Sequence, residues 1–152
     1  MAAALPERRF LLGGSGWDGR ALPPNVRSIG HVPTRDHNAF NSTPLAVLNV
    51  NRDSMARFGH SPPTRVFEAA GAGACLITDA WPGIERFLEP GREVLVARDG
   101  REVAEILRSL TPDDARRIGE RARARVLAEH TYDHRAREVL ALLLPGAAPE
   151  AA

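Results

Sequence analysis

Short apolar runs alternate with stretches of helical period along most of this chain. Phe10–Leu12, Val26–Gly30, Leu45–Val50, Cys75–Thr78 and Glu93–Ala97 are brief, rich in branched side chains or bounded by Gly and Pro, and read as strands. Leu45–Val50 and Cys75–Thr78 look apolar on both sides, as in a parallel sheet covered by helices. They are therefore expected to be central and adjacent. Asp36–Asn41 predicts one or two helical turns, the Pro-rich stretch after Val50 a turn, Pro63–Ala72 a helix and Pro82–Leu88 a short one. The last third is helical. Val103, Ile106, Leu107 and Leu110 share a face of Gly100–Leu110, and the next helix has Thr111 as N-cap, Pro112 in first position and Asp114 behind it. A final helix over Asp133–Leu144 is expected to bury Ala136, Val139, Leu140 and Leu143, leaving 145–152 as a flexible tail. Strands alternating with helices predict an α/β doubly wound domain with a parallel sheet of about five strands.

Composition excludes more than it suggests. All 20 basic residues among the 152 are Arg, which removes phosphate loops that need a Lys and every Lys Schiff base. The single cysteine, Cys75, rules out an internal disulfide and a Cys-cluster zinc site. A net charge of +1 gives no basic field for nucleic acid. No apolar run approaches the ~20 residues of a membrane span, and Met1–Arg9 lacks a signal-peptide core. A cytoplasmic protein is expected.

Candidate chemistry clusters in a few places. Gly14–Gly19 reads GSGWDG, a dinucleotide fingerprint behind a predicted strand. Pro23 and Pro24 leave no room for the crossover helix that would receive a pyrophosphate. Gly14 and Gly16 are then either a plain turn or a loop that lets a ligand approach the backbone. The more informative stretch is Asn49–Glu68. Leu45–Val50 delivers Asn51, Arg52 and Asp53 to the carboxyl end of a strand, where open α/β sheets bind ligands. Ser61 is a natural N-cap, Pro62 suits the first helical position, and Arg65 and Glu68 follow on one face. Such a helix start suits a phosphate, with Arg65 as a charged fork and Glu68 as an acceptor of sugar hydroxyls. An Arg65–Glu68 surface pair is the plain alternative. His130 and His134 have the spacing of zinc ligands, but Thr131 replaces the Glu of a zincin and no third ligand is evident, so a polar helix junction is the better reading. Arg116, Arg117, Arg121, Arg123 and Arg125 are flanked by acids and read as a solvated face. No Asp-x-Asp and no G-x-S-x-G occurs.

The stretches LNVNRDSMARFGHSPPTRVFEAAGAGACLITDAWPGIERFLEPGREVLVA and IGERARARVLAEHTYDHRAREV resemble the C-terminal domain of GT-B-fold glycosyltransferases, closest to the spore maturation protein CgeB-like group. Phe10–Phe40 fits more loosely. The resemblance implies a Rossmann-like, nucleotide-sugar-binding domain over residues 1–144, with no metal and no cofactor, the nucleotide diphosphate sugar being a substrate. It implies that Glu68 binds the donor ribose. Related retaining enzymes carry a second glutamate eight positions earlier, where this chain has His60. The segment Asp79–Glu85 resembles the part of the family's site beside the diphosphate and sugar, with Trp81 and Pro82 where relatives carry Gly, narrowing the pocket before Gly83. The expected donor-binding set is thus Gly14, Gly16, Asn51, Arg52, His60, Ser61, Arg65, Glu68, Trp81 and Gly83, with no catalytic residue assigned. The resemblance covers about half of such an enzyme, so the expected partner is a separate N-terminal GT-B domain, without which the chain is expected to be inactive. The alternative is a non-catalytic GT-B-like relic or interaction module.

Overall fold

The computed structural model describes residues 1–17 and 19–144. The expected tail, 145–152, lies outside the described residues. Five short strands form: β1 Phe10–Gly13, β2 Val26–Gly30, β3 Val47–Asn49, β4 Leu76–Asp79 and β5 Leu95–Ala97. The helices are α1 His37–Ser42, α2 Asp53–Phe58, α3 Thr64–Gly71, α4 Gly100–Ser109, α5 Pro112–Glu129 and α6 Tyr132–Leu143. All strand pairs are parallel, as expected.

The single sheet of about five strands is corrected. The strands form a two-stranded sheet, β1–β2, and a three-stranded one in the order β3–β4–β5. Of the five strands only β4 has the two-sided burial expected of a central strand. Leu76 packs with Val66 of α3 and with Ala122 and Val126 of α5, while Ile77 packs with Val103 of α4 on the other face. β3 does neighbour β4 but stands at the edge of its ladder with Leu48 half exposed, and β2 is exposed at four of its five positions. The ladder breaks between β1 and β3, strands that lie more than thirty residues apart in sequence.

The Thr111 capping signal acts as read, and Asp99 supplies a further cap. Thr111 accepts from the Asp114 N–H at the start of α5, and Asp99 does the same for α4 from Arg101 and Glu102. Two expectations fail. The turn expected after Val50 contains α2, whose first turn carries Asp53, favourable at a helix N-terminus. The apolar stripe of α6 is not buried: Ala136 is exposed, and Val139, Leu140 and Leu143 are 52%, 54% and 71% exposed. α6 is tied to the body at its first turn, where Arg135 donates to the Glu129 carbonyl and to His130 Nδ1.

Candidate functional site

Parallel pairing brings the carboxyl ends of β3 and β4 to one level, with Asn49 in register with Thr78. Both ends are polar and buried, so their hydrogen-bonding groups must find partners inside the protein. Asn49 Nδ2 donates to Thr78 Oγ1 and to Asn51 Oδ1, both at 3.1 Å. Asp79 Oδ1 accepts from the Asn51 backbone N–H at 3.0 Å and from the Thr78 hydroxyl at 3.3 Å. Trp81 Nε1 donates to Thr78 Oγ1 at 3.4 Å. Each such bond adds about 0.5–1.5 kcal/mol net, and together they fix the start of the loop after β3.

A second tie joins the two loops further out. The His60 N–H donates to the Pro82 carbonyl at 2.7 Å. His60 is the one non-glycine with a left-handed backbone among the described residues, at φ +51°. Gly83, at φ +105°, leaves the imidazole its space: a Cβ there would lie 2.5 Å from His60 Nδ1. A left-handed non-glycine residue held by its surroundings is a strained feature of the kind that clusters at functional sites.

The structure thus brings together Asn51, His60, Trp81 and Gly83 from the expected set. Arg52 is exposed as the residue before α2, and Arg65 and Glu68 are exposed on α3. Among the described residues neither Arg65 nor Glu68 enters an ion pair, so their plain surface pairing is not formed. Gly14 and Gly16 lie on the loop after β1, at φ +117° and +87°, with open space around both. No helix follows them before β2 among the described residues, in keeping with a failed dinucleotide fingerprint.

One site expectation is corrected. Ser61 is not a cap: α3 begins at Thr64, with Pro63 in the cap position and no side-chain cap. Ser61 and Pro62 each precede a proline, which drives a residue out of the helical region, so the helix waits until both prolines are passed. Trp81 is a core side chain, 4% exposed, and its ring packs 6.3 Å from that of Phe87. Beside it lies an apolar concavity of about 390 Å³, lined by Ala80, Trp81, Pro82, Ile84, Pro90 and Val96. Asn49, Thr78 and Asp79 were missed as a group, although a polar residue closing an apolar strand run is a readable signal.

The histidines form a helix junction. His130 follows α5, and its Nδ1 accepts from Arg135 at 2.7 Å. His134 pairs with Thr131 in a capping box at the start of α6. Among the described residues no group of three or more His, Cys, Asp or Glu is placed to hold a metal. Arg116 and Arg117 pair with Asp113 and Asp114, and Arg125 with Glu93 and Glu129, as a solvated face requires.

The profile of the family described as Glycosyl transferase-like matches residues 1–141. This chain belongs to that family. Solved structures show the fold shared by this Glycosyl transferase-like chain. HepE of Anabaena, crystallised in complex with UDP-glucose, aligns with a TM-score of 0.72 at 15% identity, over 93% of this chain and 43% of that one. Sucrose-phosphate synthase of Thermosynechococcus elongatus gives 0.65 at 18%, over 90% and 39%. AviGT4, a glycosyltransferase of avilamycin A biosynthesis, gives 0.61 at 23%, over 95% and 46%. The α/β fold is therefore that of GT-B glycosyltransferase structures, and the chain spans less than half the length of each. Among curated proteins none matches. No helix among the described residues is long and apolar enough to cross a membrane.

Proposed function

We propose that this chain is the donor-binding domain of a glycosyltransferase, holding a nucleotide diphosphate sugar at the carboxyl ends of β3 and β4. The observation that carries the reading is the buried polar network at those strand ends, inside a chain of the Glycosyl transferase-like family. HepE, of like fold, was crystallised with UDP-glucose, which supports a nucleotide-sugar as the ligand class. The diphosphate sits at the start of α3, where free N–H groups and the helix dipole favour an anion. Arg65 lies beside it, and Glu68, three residues on, accepts from the ribose hydroxyls. No metal and no cofactor takes part: the departing diphosphate is stabilised by Arg65 and backbone N–H groups.

The acceptor half of the cleft belongs to a separate N-terminal GT-B domain, and transfer requires it, because half a cleft leaves the acceptor unpositioned. The exposed apolar stripe of α6 supports a missing partner surface. Membership of the CgeB-like group and a cytoplasmic location belong to the same proposal. A second reading, a non-catalytic relic or interaction module, is favoured by one observation: His60 stands where related retaining enzymes carry a glutamate.

Calorimetry with UDP, GDP and the corresponding nucleosides separates the two. Losing a charge-assisted bond costs about 1.5–3 kcal/mol, roughly ten- to a hundredfold in affinity. Arg65→Ala is expected to weaken the diphosphate by that factor and leave the nucleoside nearly unchanged, while Glu68→Ala weakens both. A wild-type chain that binds none of these ligands supports the relic.

A further inference from the structure

One polar atom of the network has no partner. Asn51 is 8% exposed, and its Nδ2 makes no hydrogen bond among the described residues. A buried donor left unpaired is costly, and a native structure rarely keeps one without a reason. Turning the amide over does not cure it. Asn51 Oδ1 already accepts from Asn49 Nδ2, so a flip would set one NH2 group against another. Nor can the backbone shift freely, because the Asn51 N–H is held by Asp79. Two nearby acceptors are already taken: Thr78 Oγ1 has two donors, Asn49 and Trp81, and Asp79 Oδ1 has two, Asn51 and Thr78.

We infer that Asn51 Nδ2 is a ligand-reading donor, held in reserve for an oxygen acceptor of the nucleotide-sugar, and that Asn49, Thr78 and Asp79 are the residues that position it. The inference rests on the donor-binding reading above and adds the atom and its support. The site lies two residues beyond β3, at the carboxyl end of the parallel ladder. Nδ2 is shut off from water in the free protein, so a ligand reaches it only when the site opens. The same connection between β3 and α3 carries His60 at φ +51°, a strained conformation for a non-glycine residue.

The test is calorimetry with UDP and with UDP-glucose on the wild-type chain, Asn51→Asp and Thr78→Val, with Thr78→Ser as the conservative control. Asn51→Asp keeps the oxygen that Asn49 bonds and exchanges the donor for an acceptor. It is expected to lower affinity by about ten- to a hundredfold. Thr78→Val should lower it also, at a temperature where melting curves show it folded, and Thr78→Ser should restore it. Loss with both ligands places the acceptor oxygen on the nucleotide diphosphate; loss with UDP-glucose alone places it on the sugar. Wild-type binding undiminished in Asn51→Asp and Thr78→Val overturns this inference and leaves the donor-binding reading standing. A wild-type chain that binds neither ligand, nor GDP, overturns both.

Discussion

Gly119, in the middle of α5, has the least room for a side chain of any glycine among the described residues. A Cβ built there would lie 2.0 Å from the carbonyl oxygen of Gly73, 2.7 Å from its carbon and 3.0 Å from the carbonyl carbon of Ala74. All three atoms are backbone of the tight turn between α3 and β4. That turn is held by the Gly73 N–H to Ala70 and the Ala74 N–H to Ala69, at 2.9 and 3.0 Å. The obstacle therefore cannot rotate away as a side chain would, and α5 must retreat by roughly 1 Å or more to reach ordinary contact. Retreat pulls Ala122 and Val126 from the core they share with α3 and β4, and Ile118 from its cluster with Cys75 and Leu110. Overpacking costs about 1–3 kcal/mol, and more when the neighbour is rigid. Ala gains about 1 kcal/mol over Gly in helix propensity. The net loss for Gly119→Ala is about 2 kcal/mol, a fall in Tm of about 4–8 °C for a domain of this size. Gly71→Ala is the control: Gly71 ends α3 with nothing within 4 Å of its Cβ position. Propensity acts alone there, so stability should rise by up to about 1 kcal/mol. Urea unfolding at constant m reads both changes. Equal or greater stability in Gly119→Ala would refute the argument that α5 lies directly on backbone.

Two further outcomes follow from named contacts. Asn25 Nδ2 donates to the carbonyls of Ala2, Leu5 and Arg8 at 3.0, 2.8 and 3.0 Å, so Asn25→Ala should destabilise by about 1–3 kcal/mol and speed tryptic cleavage at Arg8 and Arg9; unchanged cleavage would show the clasp to be idle. Burial, then the Arg135 guanidinium, hold His130 below the ordinary imidazole value of 6.5, so between that value and its lowered native one the unfolded chain binds more protons. Stability should be full above pH 6.5 and fall as the pH drops through that window, and His130→Gln should flatten this part of the urea-midpoint profile; an unaltered slope would place the effect elsewhere.

The fold was legible where one local rule decided the outcome. Thr111, Pro112 and Asp114 start α5 as read, because a cap depends on three adjacent residues and little else. Strand positions were likewise found to within two or three residues, since short apolar runs between turn residues have few other uses. The failures needed information from outside the segment. The α6 stripe has the spacing of a buried face, but spacing states only that a face is apolar, not that this chain supplies what covers it. The division into two ladders depends on whether β1 meets β3, a contact between residues more than thirty positions apart that no local pattern encodes.

The candidate site divides along the same line. Asn51 was placed by a rule about strand ends, and the structure puts it there with its backbone bound to Asp79. Ser61 was placed by a rule about caps, and a stronger rule about residues before proline overrode it. Thr78 and Asn49 escaped notice because each closes an apolar run and reads as the polar end of a strand. What distinguishes them is partnership: Thr78 Oγ1 stands 3.1 Å from Asn49 Nδ2 across 29 positions of sequence. A buried amide opposite a buried hydroxyl is satisfied only if both strands end at the same level. The two residues therefore state the register of β3 on β4. Replacing either by an apolar residue would leave the other unpaired and loosen both at once.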